Sequence, residues 1–506
     1  MTVQFFVRHQ TCEIIDLMNQ RHEKLLDELA HEAMIDRGLL PDFPEEVMQE
    51  VSRLKSAATG DDDPAIRDMR SLAWCSIDND DSRDLDQLTY AEAMTGSDVR
   101  LYIAVADVDA LVPKGSAVDE RAKHNTTSVY TAARVFPMLP ERLSTDLTSL
   151  NEGEDRIAMV IELVVGDDGS VRSGDVYRGL VHNHAKLAYN SVAAWLENEG
   201  EMPDKMRAVK GLDENIRLQD HAADRMRAVR HENGALDLET IEARAVMQDG
   251  QVVDLRQEKR NNARMLIEDF MIAANGVTAR FLEAHKFASI RRVVRSPERW
   301  DRIERIAEEF GDRLPPDPDA KALEEFLVRI KKQEPTRFPD ISLSIIKAMG
   351  AGEYVVERAG EDSVGHFGLA VKDYTHSTAP NRRYPDLITQ RLVKAALAKK
   401  QAPYTEDELD ELAQHCTNQE DAANKVERQV RKSAAACLLV NRINERFDAI
   451  VTGASAKGTW VRIFRPPVEG KLVHGHANLE LGDRLRVKLI AVDIERGFID
   501  FVRTKG

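Results

Sequence analysis

The sequence predicts an α+β protein in three parts: a small helical module, a central domain whose strands precede its helices, and a small closed β-barrel at the C-terminal end. Three observations carry this reading. Apolar residues recur at helical spacing in the first 58 positions. Strand-like apolar runs in the next third give way to long helical patterns from about residue 263. In the last 60 residues the apolar period drops to two, punctuated by glycines.

Taken in order, Ile14, Leu17 and Met18, then Leu25, Leu26 and Leu29, repeat at helical spacing before Gly38 and Pro41 break the pattern, giving a helical module over 1–58. A helix-turn-helix is one form such a module takes. Its charge opposes that role: Met1 to Arg70 holds 8 Lys and Arg against 15 Asp and Glu, the wrong sign for gripping phosphates. A packing or interaction role is the better expectation. The composition of Ala57-Ala-Thr-Gly-Asp-Asp-Asp-Pro64 marks a linker, placed at 59–68.

The central domain, 69–440, opens with strands around Leu101–Ala106 and Ile157–Val165. Its clearest helix is Ala263–Leu282, where Met265, Leu266, Phe270 and Ala273 share a face. Further helices are expected near 300–312, 320–333, 385–400 and 405–445. The barrel, 445–506, is read from Val461–Ile463, Leu485–Ile490 and Phe498–Val502, separated by turns at Gly453, Gly458, Gly470 and Gly482.

The 506 residues, 42% hydrophobic, suffice for two or three domains with a sizeable core. With no apolar run of about 18 residues and no leader pattern, the sequence predicts neither a spanning nor a secreted protein but a cytoplasmic one. Cys12, Cys75, Cys416 and Cys437 lie too far apart to suggest a paired zinc motif and fit reduced, buried thiols. A net charge of −17 argues against a nucleic-acid-coated protein, yet Lys425 to Gly506 holds 16 Lys and Arg against 9 Asp and Glu. There Trp460, Phe464 and His474 are interleaved with Lys457, Arg462, Arg465 and Lys471. Rings for bases and cations for phosphates are what single-stranded nucleic acid requires, although any one ring also suits a barrel core.

The densest chemical signal is Asp78-Asn-Asp-Asp-Ser-Arg-Asp-Leu-Asp86, five carboxylates in nine residues directly after the strand-like Leu72–Ile77. Such crowding is unfavourable without a cation, and oxygen ligands select Mg²⁺, Mn²⁺ or Ca²⁺ over zinc. A solvated acidic turn is the other reading. An EF-hand is excluded, because counting from Asp78 the sixth residue is Arg83, not Gly, and the twelfth is Thr89, not Glu. A second polar island, Thr375-His-Ser-Thr-Ala-Pro-Asn-Arg-Arg-Tyr-Pro-Asp386, leads into a helix, and its adjacent Arg382 and Arg383 could present a fork to a phosphate.

These blocks resemble, in order, the ribonuclease II and ribonuclease R exoribonucleases, the RNB family. Asp78-x₅-Asp84-x-Asp86 is similar to the family's acidic signature; Pro137–Leu150 with Asp155-Arg156, Leu266–Asn275, and His366–Ala370 running into Tyr374–Asp386 are similar to the blocks that follow. The resemblance spans about 70–430, and the barrel resembles an RNA-binding OB fold of the ribosomal S-one type. It implies a processive, hydrolytic 3′-to-5′ exoribonuclease that degrades single-stranded RNA to nucleoside 5′-monophosphates. Mg²⁺, with Mn²⁺ as the alternative, would make hydroxide available for in-line attack on phosphorus.

Carried over by position, the resemblance gives Asp78 and Asp84 as metal ligands, Asp86 as the indispensable carboxylate, Arg382 at the scissile phosphate and Glu427 as a supporting acid. Glu268 would meet ribose hydroxyls, Tyr130 would stack a base, and Tyr189 would lie beneath the 3′ end; Arg383 joins these as an RNA contact. Packing with a satisfied hydroxyl is the alternative for both tyrosines.

The chain departs from the family pattern at Gln87, where a further aspartate is usual; with Asp78, Asp84 and Asp86 it is a candidate metal ligand, its neutral carbonyl compensating less charge, which opens the question of one metal or two. It departs again at Leu238, in Ala235-Leu-Asp-Leu238, where a phenylalanine is usual. It also has a helical N-terminal stretch in place of two cold-shock barrels, from which a wider opening that admits structured RNA is an expectation. A monomer without membrane contact or nucleotide cofactor is anticipated. Two other readings stand beside this one: an inactive RNA 3′-end-binding protein, and a nucleic-acid-binding regulator.

Overall fold

The computed structural model describes residues 22–504 other than 61, 62, 242, 249, 258, 259, 456, 457, 478, 480 and 481. Ile14, Leu17, Met18, Cys12 and Lys457 therefore lie outside the described residues.

A seven-stranded sheet organises the central domain. Its strands are β1 (Arg67–Asp68), β2 (Cys75–Asp78), β3 (Gln87–Ala93), β4 (Val99–Ala106), β5 (Asp155–Val165), β6 (Val171–His182) and β7 (Ala185–Ala188), in spatial order β1-β6-β5-β4-β3-β2-β7. The middle of the sheet is antiparallel, and the two edge pairings, β1 with β6 and β2 with β7, are parallel. β4 and β5 read as near-continuous apolar runs because both of their faces are covered. Arg67–Asp68 already pairs with Gly179–Leu180, so the chain joins the sheet within the stretch anticipated as linker.

Across the sheet lies α1 (Asn262–Ala284), started by the Asn261 side chain, which accepts from the Arg264 backbone N–H at 3.0 Å. Leu266, Ile267 and Phe270 are buried beneath it. The helices at Trp300–Glu309 and Ala320–Gln333 form with the anticipated positions, whereas Leu212–Glu232 and Phe338–Met349 carry no counterpart in the sequence reading. Two more helices frame the site: α2 (Tyr384–Leu397) and the 34-residue α3 (Glu406–Leu439), whose start is fixed by a capping box between Thr405 and Glu408.

α3 ties the parts together. Near its middle, Ala423, Val426 and Val430 bury Ala30, Met34 and Leu39 of the N-terminal stretch, together with Val129 and Phe136. Nearer its C-terminal end, Ala435, Ala436 and Leu439 enter the barrel core beside Phe447, Val487 and Phe501. The helical module is thus packed on the central domain; Arg121 also donates to the Leu40 carbonyl at 2.5 Å.

The barrel closes as β8 (Arg446–Ser455), β9 (Gly458–Ile463), β10 (Glu469–His474), β12 (Phe498–Arg503) and β11 (Arg484–Asp493), with β11 returning to β8. Alternation along β9 buries Thr459, Val461 and Ile463 and turns Trp460 and Arg462 outward. Arg462 is not available to a ligand: its fork grips Asp340, 2% exposed, at 2.5 and 3.0 Å and docks the barrel on Phe338–Met349. Among the described residues no helix is long and apolar enough to cross a membrane.

Candidate active site

The acidic loop leaves the sheet at the end of β2 and re-enters at β3, and β2 pairs Asp78 with Ala188 of β7. This register sets the loop beside Tyr189, the first residue of the helix Tyr189–Leu196. The loop is braced from several sides. Ser149 Oγ accepts from the Leu85 amide and donates to the Arg83 carbonyl, both at 3.0 Å, which gives the Pro137–Leu150 block a physical task. Lys186 Nζ donates to the carbonyls of Ser82 and Asp80, and Arg244 binds Asp81 at 2.7 Å.

Asp86 is 3% exposed. Its Oδ1 accepts from the Asn381 amide at 3.1 Å, and its Oδ2 lies 3.5 Å from Arg382 Nε. Burial pushes its carboxyl up to about 7, the Arg382 charge opposing and the Asp84 charge adding. Asp78 is half-buried; its Oδ1 accepts from the Asn79 amide at 2.7 Å, and burial, with Asp84 nearby, raises it also. Asp84 accepts from the Tyr130 hydroxyl at 3.3 Å. Gln87 is half-buried at the first position of β3, in register with Val105.

The three aspartates are not drawn within 4.8 Å of one another; among the described residues that spacing occurs only at Glu283, Glu357 and Asp373. There Arg291 already binds Glu357 at 2.9 Å. At the acidic loop the donor set is nonetheless suited to a hard divalent cation: all oxygen, with a buried Asp86 whose negative form is balanced by one guanidinium at 3.5 Å.

The arginine island separates its two arginines. Asp386, fully buried, accepts from the Ala379 amide and from Arg383 Nη2, both at 2.8 Å, so the Arg383 guanidinium turns inward. The Arg382 carbonyl accepts from the Ser128 amide at 2.9 Å, while its side chain, 42% exposed, faces Asp86. The anticipated two-arginine fork does not form: a side chain closing the turn cannot also point out of it. Arg383 still lines a cleft of about 240 Å³ shared with Tyr130, His376, Arg382 and Glu427.

Tyr130 is 43% exposed, and its amide donates to Glu427 Oε1 at 2.8 Å. Glu427, on α3, thus holds the backbone of the strand that carries the tyrosine. Tyr189 is half-buried under Arg264, whose guanidinium carbon lies 4.7 Å from the ring centroid. One turn further along α1, exposed Glu268 accepts from Arg260 at 3.0 Å. Leu238 packs against the cluster of Trp300, Phe326 and Leu327. Trp460, half-buried, and exposed Phe464 and His474 lie on the barrel, where Arg484 stands 5.8 Å from the Phe464 ring.

The structure thus gathers Asp78, Asp84, Asp86, Tyr130, Tyr189, Arg382 and Glu427 around one loop, and adds Arg264, Lys186, Asn381 and Ser149, which the sequence reading did not single out. The one clue to Arg264 was its four-residue spacing from Glu268 on a helical face.

Residues 66–399 match the family model for the RNB domain, and residues 445–504 match that for the RNase II-type exonuclease C-terminal S1 domain. Ribonuclease R of Vibrio cholerae is 30% identical over 91% of this chain, and that of Thermotoga maritima is likewise 30% identical over 91%. The chain spans 59% of the first and 68% of the second. The apo form of Mycoplasma genitalium RNase R superposes with a TM-score of 0.83 at 22% identity, covering 94% of this chain and 77% of that one, a likeness of fold.

Proposed function

The chain belongs to the RNB-domain family, and from that premise we propose that it is a hydrolytic, processive 3′-to-5′ exoribonuclease that takes single-stranded RNA and releases nucleoside 5′-monophosphates. The observation that supports this most is the buried Asp86 facing Arg382, with Asp84 and the Tyr130 hydroxyl alongside. Asp78, Asp84 and Asp86 would hold Mg²⁺, or Mn²⁺, with Gln87 as a neutral neighbour. The ion would polarise the phosphodiester and render a water acidic enough to attack it.

The chain's own groups divide the remaining work. The Asn381 amide fixes Asp86 in orientation. Arg382, fixed through its backbone and open at its tip, offers a guanidinium to the charge that grows on the phosphate oxygens as attack proceeds. Tyr130, anchored by Glu427, presents a ring on which a base can stack, and Glu268 offers acceptors to ribose hydroxyls, a basis for preferring RNA. The outward faces of the barrel carry Trp460, Phe464 and His474 toward upstream nucleotides.

The test is a time course on 5′-labelled single-stranded RNA with Mg²⁺, with Asp86→Asn in parallel. A short end fragment and 5′-monophosphates, absent in the variant, are the expected outcome. Intact RNA that still shifts on a gel would leave a 3′-end-binding protein in place of a nuclease.

A further inference from the structure

Three elements meet behind the acidic loop: the end of β2, the start of the helix Tyr189–Leu196, and the first turn of α1. Arg264 touches all three. Its backbone N–H is held by Asn261 Oδ1 at 3.0 Å, and Asn261 Nδ2 reaches Asn190 Oδ1 at 3.2 Å. Its Nη2 donates to Asn79 Oδ1 at 2.7 Å, and its guanidinium covers one face of the Tyr189 ring at 4.7 Å. The next link runs through the main chain of the same residue, because the Asn79 backbone N–H donates to Asp78 Oδ1 at 2.7 Å. Two hydrogen bonds therefore connect Arg264 to a carboxylate of the loop.

We propose that Arg264 is a positioning residue for divalent-cation binding: through Asn79 it fixes the orientation of the Asp78 carboxylate, and through Tyr189 it locks the floor on which the loop rests. This rests on the metal-dependent reading above. A half-buried arginine beside carboxylates has two opposite ways of acting, and they differ in sign. As a charge alone, Arg264 repels a cation, so its loss would tighten binding. As a holder of Asn79, its loss lets Asp78 turn away and weakens binding; partners that orient a ligand typically contribute about 10- to 100-fold to metal affinity or activity. Arginine is suited to the task because its planar fork can bond Asn79 at its edge while its face rests on Tyr189; lysine keeps the charge without the plane.

The experiment measures Mn²⁺ affinity of the full chain without RNA, by electron paramagnetic resonance, for wild type, Arg264→Met, Arg264→Lys, Asn79→Ala and the Arg264→Met/Asn79→Ala double variant, each checked for a native thermal transition. The expected result is binding about tenfold weaker in Arg264→Met and Asn79→Ala, partial recovery in Arg264→Lys, and a double variant no worse than either single one, as for residues acting in one chain of contacts. Unchanged or tighter binding in Arg264→Met, or additive losses, overturns the proposal. Should wild type bind Mn²⁺ and cleave no RNA, the nuclease reading fails while the affinities still decide the role of Arg264. Should wild type bind no Mn²⁺, both fail together.

Discussion

The acidic loop and the terminal barrel both concentrate charge, and they treat it in opposite ways. At the inner end of the loop, charge is withdrawn from water: Asp86 is 3% exposed, and Arg382, Arg264 and Lys186 are directed to particular partners, while Asp80, Asp81 and Arg83 stay exposed. On the barrel, Phe464, Lys471 and His474 face solvent, and Arg462, a cation drawn out of it, docks the barrel instead. Desolvated charge acts strongly on a reacting group over a short distance, whereas exposed charge and rings add affinity in small, nearly independent portions. Substitutions in the loop should therefore change turnover by orders of magnitude, and those on the barrel should change KM by small factors.

The largest effect is expected at Asp86. Asp86→Asn should lower kcat by at least about 10³-fold while leaving RNA binding on gels intact. The same change should stabilise the metal-free fold above neutral pH. The Asp86 carboxyl is raised to about 7 in the folded chain, so between its unfolded value and about 7 the folded state holds the extra proton, and stability falls as pH rises through that window. Asn removes this loss, so the melting temperature of the variant should exceed that of wild type at pH 8 and approach it at pH 5. A lower melting temperature at pH 8 would mean that the Arg382 attraction outweighs burial.

The neighbouring arginines sharpen the contrast within the catalytic domain itself. Arg382→Ala should reduce kcat by about 10²- to 10³-fold with little change in melting temperature, as for removal of a donor to developing charge. Arg383→Ala leaves Asp386 buried with the Ala379 amide but without its countercharge, and breaking such an ion pair typically costs about 3–5 kcal/mol. Its principal signature should be a lowered melting temperature. Exchanged phenotypes would reverse the assignment of these two side chains.

A smaller effect follows from pH. A proton and a divalent cation compete for Asp86, so at limiting Mg²⁺ the rate should fall about tenfold per unit below about pH 7, and raising Mg²⁺ should move the midpoint to lower pH. A midpoint that does not respond to Mg²⁺ would remove Asp86 from the metal site.

Legibility followed the same division. Five carboxylates in nine residues, the Arg-Arg island and the alternation of the barrel are local patterns, and the elements they sit on formed near where periodicity put them, although Gly453 and Gly470, expected at turns, lie inside β8 and β10, and β2 begins only at Cys75. What could not be read was set by partners distant in sequence. Arg382 and Arg383 are alike until Asp386 captures one of them. Arg264 acquires its place only when β2 and β7 pair Asp78 with Ala188. The helix Leu212–Glu232 was missed because its buried side includes Gln219, satisfied by Thr89 at 2.7 Å, and two alanines, a face too weakly apolar to show a period.

The barrel supplies the smallest prediction and the cleanest check of the comparison. Trp460 turns outward from β9 but is half-buried, so only part of its face can stack on a base. Stacking is worth about 1–3 kcal/mol per base, and the lower end corresponds to about a fivefold rise in KM for Trp460→Ala, with kcat at saturating RNA unchanged. No charge is removed, so the salt dependence of binding should keep its slope. Lys471→Ala, one strand over and in register with Trp460, should instead flatten that slope by about 0.7, the share of one phosphate contact on a single strand. A loss of kcat from Trp460→Ala with KM unchanged would mean that the barrel acts on the catalytic step through its docked Arg462, and the separation between the two regions would fall.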